Sequence, residues 1–255
     1  TKAVSFERYR VKLMVAYRLH FEACHLQTIA LLQSGRLDDL RLFHSVFTQQ
    51  VHPGDIRLIQ RLGGRPLHDI EIYCINAARY LFRDEPTEVT ALVGRGHDRR
   101  FQKVEESAGA ILRFPHDRLA TLTCSFGATD AAMYEIVGTK GRVRVEPAYE
   151  YLGSLKASIT VNGKTRVRTF KPGDQFAPQL IYFASCVQDN RQPEPNGLEG
   201  LLDVQIIEAL HRSARQGRSV PLRLSTKQVR PDVRLQMHRP PVVKPKQVRA
   251  TSPTL

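Results

Sequence analysis

Residues Gly63-Gly64-Arg65-Pro66 turn the chain into a run of helical periodicity that reaches Phe82, and this junction constrains the fold more than any other stretch. Glycines enter turn conformations that a Cβ would strain, and proline suits the first helical turn, where its missing N–H is not needed. Leu67, Ile70, Cys74, Ala77 and Leu81 recur at helical spacing, so the pattern predicts a helix over 66–82 that buries this stripe. Asp69, Tyr73, Asn76 and Tyr80 then fall on an adjoining face. Side chains four residues apart meet on a helix surface, which makes Asp69 and Tyr73 a candidate pair. A phenol titrates near about 10 in model peptides, so it moves protons at neutral pH only where its surroundings stabilise the phenolate. A neighbouring carboxylate opposes that, and the pair makes chemical sense only in a larger site that includes a cation.

The rest of the chain reads as sheet with helices around it. Leu13-Met14-Val15-Ala16 is a short apolar run suited to a buried strand, and Leu26, Ile29 and Ala30 keep helical spacing toward Gly35, a C-cap. Residues 40–51 read as the first strand of a second unit, and further strands are expected over 87–93, 108–114, 119–126, 131–137 and 142–145. Asn162-Gly163, between 158–161 and 165–170, is the type I′ signal of a tight hairpin. Helices are expected over 176–188, with Asp174 placed to cap, and over 198–215, burying Leu202, Ile206, Ala209 and Leu210 before Gly217. The sum is an α+β fold: a mainly antiparallel, open-faced sheet with helices on one face.

At 255 residues and 42% hydrophobic content the chain can bury a substantial core. No apolar run approaches the roughly 18 residues of a membrane span and no secretory leader opens the sequence, so a cytoplasmic location is expected. Cys24, Cys74, Cys124 and Cys186 lack paired or zinc-like spacing and read as buried thiols of a reducing compartment. His20-Phe21-Glu22-Ala23-Cys24-His25 contains a His-x-Glu, but a zinc deaminase also needs a downstream Pro-Cys-x-x-Cys that the sequence lacks, so no metal is expected. Gly94-Arg95-Gly96 has no third glycine at dinucleotide-loop spacing and reads as a surface loop. The net charge of +13 is concentrated toward the end: residues 226–255 hold seven Lys or Arg against one acidic residue, Asp232, together with five prolines. Without interleaved aromatics this composition describes an extended packing arm, and nucleic acid is not an expected partner.

The string Gly63-Gly64, Asp69-x-x-x-Tyr73-x-x-Asn76-Ala77-Ala78-Arg79-Tyr80-Leu81-Phe82 resembles the central motif of the Gfo/Idh/MocA family of NAD(P)-dependent sugar oxidoreductases. It is most similar to the glucose-fructose oxidoreductase branch, which places Tyr where many relatives place His. Three more stretches agree: Val11-Lys12-Leu13-Met14-Val15-Ala16-Tyr17-Arg18-Leu19-His20-Phe21-Glu22, Glu135-Ile136-Val137-Gly138-Thr139-Lys140-Gly141 and Asp174-Gln175-Phe176-Ala177-Pro178. The resemblance implies hydride transfer between C1 of an aldose-like sugar and the nicotinamide of NADP or NAD, with Tyr73 as acid/base and Asp69 beside it. It places Tyr17, Arg18, His20 and Asn76 near the sugar, with Arg18 offering forked hydrogen bonds, and it implies a homo-oligomer formed through the open sheet face.

The resemblance also implies a division of the chain. Residues 1–35 correspond to the last strand and helix of a Rossmann domain, 36–225 to the C-terminal substrate and oligomerisation domain, and 226–255 to the basic arm. The family's glycine loop and its Glu-Lys-Pro lysine have no counterpart here, and Thr1–Arg10 does not resemble the helix expected before Val11. The expectation is a chain truncated or frame-shifted near residue 10, inactive alone; the alternative is a non-catalytic sugar-binding or oligomerisation module. Arg65 and Glu71 stand where relatives have glycine, and Arg65 is one candidate for the missing cation.

Overall fold

Alternating side chains sort the strands into a covered and an open face. In Ser107–Phe114, Ala108, Ala110, Leu112 and Phe114 are buried while Ile111 and Arg113 are exposed; in Arg118–Ser125, Ala120, Leu122 and Cys124 are buried while Thr121 and Thr123 are exposed. The computed structural model describes residues 11–227 and 229–239. Its strands are β1 (Leu40–Thr48), β2 (Glu88–Gly94), β3 (Ser107–Phe114), β4 (Arg118–Ser125), β5 (Ala131–Gly138), β6 (Gly141–Val145), β7 (Leu155–Val161), β8 (Lys164–Phe170) and β9 (Val220–Pro221). They form one sheet in the order β8-β7-β6-β5-β1-β4-β3-β2-β9, antiparallel except for the β1–β4 pair. The hairpin turn at Asn162-Gly163 has φ of 48° and 77°, the type I′ geometry that the sequence predicts.

Among the described residues five α-helices accompany the sheet: α1 (Ala23–Gln33), α2 (Pro66–Asp69), α3 (Glu71–Phe82), α4 (Ala177–Gln188) and α5 (Gly197–Gln216). α3 packs on β1 and β4, and α5 on β2. Leu26 and Ile29 of α1 share one core with Phe43, Tyr134, Phe82 and Phe114, whose rings meet in a chain of tilted and stacked contacts. The α+β class, the mainly antiparallel sheet and the helix-covered face are those expected from the sequence. Each of the four cysteines is buried with a free thiol. No helix among the described residues is long and apolar enough to cross a membrane.

Two local expectations need correction. The apolar run Leu13–Ala16 forms no strand: its pairing is one antiparallel bridge, Met14 with Asn196, beside Val15 N–H donating to Pro195 O at 3.1 Å. The described residues supply that segment with no flanking strand to extend the pairing. The helix expected over 66–82 is divided at Ile70 (φ −110°, ψ −35°), where Tyr73 N–H bonds to Ile70 O at 3.1 Å. Ile70 and Glu71, at the break, are both buried. The glycine turn before it has the strict requirements expected: Gly63 sits at φ +85°, and a Cβ on Gly64 would lie 2.3 Å from Arg57 O.

Glu71 is fully buried. Its Oε2 accepts from Cys124 Sγ at 2.6 Å and its Oε1 has no partner among the described residues. Burial pushes this carboxyl up to about 7, because the charged form loses its hydration. A folded-state value above the unfolded one contributes stability that is full below the unfolded value and lost as pH rises through about 7. Glu71→Gln removes that dependence. Comparing urea unfolding at about pH 5 and about pH 8, the parent is expected to lose about 3 kcal/mol more than the variant. Equal losses would show that Glu71 ionises as readily in the folded chain as in the unfolded one.

Candidate functional site

The segment 11–16 ends in a 3₁₀ turn, Arg18–Phe21, closed by His20 N–H to Tyr17 O at 3.1 Å. The turn buries Leu19, His20 and Phe21 and leaves Tyr17 and Arg18 half-buried. Glu22 then caps α1, accepting from His25 N–H at 3.0 Å. Opposite this turn, α2 and α3 present Asp69, Tyr73 and Asn76. Between the two lies a cavity of about 520 Å³ lined by Tyr17, Arg18, Asp69, Tyr73, Asn76 and Tyr151, with Phe176 and Gln179 on its rim. Five of the six candidate residues from the sequence meet there.

Arg18 is the cation at Tyr73. Its guanidinium lies 5.0 Å from the Tyr73 ring centre and 5.7 Å from that of Tyr151, a cation–π arrangement with two rings. Nη1 donates to Gln175 Oε1 at 2.6 Å and Nη2 to Tyr149 O, so the fork expected to grip a sugar is engaged by the protein itself. Arg65 is elsewhere, paired with Glu105 at 3.5 Å, and does not supply the cation. Asp69 has its own counter-ion, Arg57, whose Nε donates to Oδ2 at 2.6 Å. The Tyr73 ring stands edge-on to Phe47 with centroids 5.5 Å apart, and its hydroxyl bonds to no described residue. Asp174 caps the start of α4, accepting from Phe176 N–H at 2.7 Å and Ala177 N–H at 3.0 Å.

His20 is not in the cavity wall. It lies buried under Tyr17, rings 5.4 Å apart, with Nε2 2.7 Å from Asn76 Oδ1. Burial lowers its pKa to about 4, so it is neutral at physiological pH. Asn76 turns its Nδ2 toward Glu199 Oε1 at 2.7 Å and Asp203 Oδ2 at 3.0 Å, and Asp203 Oδ2 also accepts from the Tyr17 hydroxyl. Below them Arg79, with no exposed side-chain surface, donates to Glu85 Oε2 at 2.6 Å, Glu199 Oε1 at 2.9 Å and Asp203 Oδ1 at 2.5 Å. Lys227 bonds both Glu194 and Glu199, and Arg230 bonds Glu85 at 2.8 Å. Burial raises Asp203 to about 6 and Glu194 to about 7 against the pull of Arg79 and Lys227. For Glu199 burial works upward too, but Arg79 and Lys227 outweigh it and hold the carboxyl low.

Sequence reasoning missed Arg57, Tyr151, Glu199 and Asp203. Glu199 and Asp203 left a readable signal: two carboxylates four residues apart beside Leu202 and Ile206 on a burying helix call for a buried cation. Tyr151 left none, since it follows β6 in an irregular segment.

The cavity is aromatic-walled, holds one guanidinium, one carboxylate and the phenols of Tyr17, Tyr73 and Tyr151, and sits on an open-faced α+β sheet. The model of the GFO/IDH/MocA C-terminal domain matches residues 25–144. The crystal structure of an aldose-aldose oxidoreductase from Caulobacter crescentus, complexed with glycerol, superimposes with a TM-score of 0.81 at 33% identity, covering 86% of this chain and 67% of that one. The chain belongs to the GFO/IDH/MocA family. Among curated relatives, D-xylose 1-dehydrogenase [NADP(+)] of Haloarcula marismortui is 29% identical over 223 residues; the match covers 85% of this chain and 62% of that protein. A 3-ketoreductase from Actinomadura kijaniata, solved with NADP and TDP-benzene, shares the fold with a TM-score of 0.74.

The described residues do not form a dinucleotide cradle. Gly94 ends β2 and Gly96 lies in the β2–β3 connection, and a Cβ on Gly197 or Gly200 at the start of α5 would lie 2.8 Å from Leu13 or 3.2 Å from Val15. No group of three or more His, Cys, Asp or Glu side chains among the described residues is placed to hold a metal ion.

Arg79→Met leaves three carboxylates facing a methyl group. Breaking such a buried pair costs roughly 3–5 kcal/mol, which urea unfolding at neutral pH would register as a lower midpoint with an unchanged slope. A loss below about 1 kcal/mol, the range of exposed pairs, would mean that water reaches the cluster.

Proposed function

We propose that this chain provides the substrate-binding and proton-transfer half of an NADP-dependent sugar oxidoreductase, with the cavity at Tyr73 as its sugar site. The observation that carries the reading is the Tyr73 hydroxyl: it has no partner among the described residues, and it faces a cavity that also holds the Arg18 guanidinium and the Asp69 carboxylate. Aromatic faces suit the C–H face of a sugar ring, and Asp69 offers acceptor oxygens to its hydroxyls. Tyr73 would give or take the proton of the reacting hydroxyl, and Arg18 would set the electrostatics around it. The oxidoreduction itself would belong to a nicotinamide cofactor such as the NADP named for the relatives. On this reading residues 11–21 bring the end of a dinucleotide-binding unit to the cavity and 36–225 form the substrate domain. The family, the cavity chemistry and the sugar-acting relatives support this reading over that of a silent module.

Calorimetric titration of the chain with D-xylose tests it. Saturable binding is expected, weakened about tenfold, roughly 1.4 kcal/mol, in Arg18→Met, with Tyr73→Phe close to the parent because the proton is moved only in the reaction. No heat with D-xylose or D-glucose, in a chain shown to be folded, would set the sugar-site reading aside.

The open sheet face supports the homo-oligomer reading. Leu42, Leu92, Ile111 and Val167 all point outward, each about half exposed or more, across a span from β8 to β2. They stand among Thr121, Thr123, Glu135 and Arg144 of the same face, a mixed surface broad enough for a second copy of the chain to cover. Sedimentation of the chain is expected to show a dimer or larger species that Ile111→Lys dissociates. A parent that sediments as a monomer at all concentrations would contradict the interface.

A further inference from the structure

The C-terminal segment supplies charge to the floor of the cavity. Lys227 and Arg230 lie in an irregular stretch, yet both are buried, and the carboxylates they meet come from separate parts of the fold: Glu85 after α3, Glu194 before α5, and Glu199 on α5. Three buried cations, Arg79, Lys227 and Arg230, face four buried carboxylates, Glu85, Glu194, Glu199 and Asp203. Lys227 holds the Oε2 of Glu199, whose Oε1 accepts from Asn76 Nδ2. Asn76 Nδ2 also reaches Asp203 Oδ2, the acceptor of the Tyr17 hydroxyl, and Asn76 Oδ1 faces His20 Nε2. The amide can turn only one way in this setting: its N–H groups must meet carboxylates, so its oxygen meets the imidazole, which must carry its proton on Nε2.

We propose that Lys227 is a positioning residue for the cavity, a cation delivered by the C-terminal segment that fixes the Asn76 amide and, through it, the His20 tautomer and the Tyr17 ring that line and support the floor. The proposal rests on the reading of this cavity as the sugar site only for its consequence; the order it describes is measurable without a sugar. Without Lys227, Glu199 keeps Arg79, Glu194 is left to take up a proton, and the lysine's positive charge no longer opposes protonation of His20. The groups facing His20 are Tyr17 before the 3₁₀ turn, His25 of α1, Asn76, Arg79 and Tyr80 of α3, Glu194 before and Glu199 at the start of α5, and Lys227. Removing the lysine leaves Arg79 as the cation among them, opposite Glu199.

The test is the ¹⁵N spectrum of the histidine rings in the full 255-residue chain, with His20 assigned by its loss in His20→Gln. The parent is expected to show His20 as a single Nε2–H tautomer that does not titrate near neutral pH. In Lys227→Met the proton affinity of His20 should rise by about tenfold or more, one pH unit, with both tautomers populated, and Lys227→Arg should restore the parent spectrum. A folded Lys227→Met with the His20 signals of the parent would overturn the proposal, as an ion pair that merely stabilises the fold would leave the ring unchanged. If Lys227→Met does not fold, the charge-balanced Lys227→Met/Glu199→Gln is measured instead. The proposal requires that variant to fold with both His20 tautomers present; failure to fold, or a His20 still held in one tautomer, would contradict it. A positive result here together with no D-xylose binding would retire the sugar reading and leave the positioning role standing.

Discussion

Everything around the cavity depends on one buried guanidinium. Arg79 has no exposed surface, and its donors reach carboxylates from the segment after α3 and from α5, so those elements can close over it in one arrangement. Tyr73, Asn76 and Arg79 repeat at three-residue steps along α3, running from the cavity through its floor into the core. The stripe that positions the chemistry is therefore the stripe that buries the charge. Buried ion pairs are often no more stabilising than apolar groups of the same volume, while an orphaned charge is costly. Such a cluster makes alternatives expensive, and the consequence for function is geometry: Tyr17, Asn76 and the 3₁₀ turn have one place to be.

The same physics explains what could be read from the residues and what could not. Alternation gave the sheet, the Asn162-Gly163 pair gave the hairpin, and helical spacing gave α4 and α5 within one or two residues at their ends. The break at Ile70 was hidden, because the pattern of Leu67, Ile70 and Cys74 suits an unbroken helix. Leu13–Ala16 has the composition of a strand, but a strand is a relation to neighbours, and the described chain gives it only Asn196. The Asp69, Tyr73 and Asn76 cluster was legible through spacing. The role of Arg18 was not: a sequence shows a fork of donors near a sugar motif, and only coordinates show that Gln175 and Tyr149 already occupy it.

Two charged groups of the site are accommodated by their surroundings. Glu71 is held as a buried carboxyl whose pKa, raised to about 7, keeps part of it protonated at neutral pH beside Cys124. Arg18 places a cation over the Tyr73 ring. Its fork is held in place by Gln175 and Tyr149 and lies near the faces of two rings. Asp69, neutralised by Arg57, is left able to accept hydrogen bonds without adding net negative charge beside the phenol.

The central claim is that the space between Arg18 and Tyr73 receives a sugar ring. Transferred nuclear Overhauser effects between ¹³C-labelled D-xylose and the aromatic protons of the full chain test it most directly. The account predicts cross-peaks from the sugar C–H groups to the rings of Tyr73 and Tyr151 that vanish on competition with unlabelled D-xylose. Saturable D-xylose binding whose contacts lie on other rings, with Tyr73 and Tyr151 silent, would contradict it.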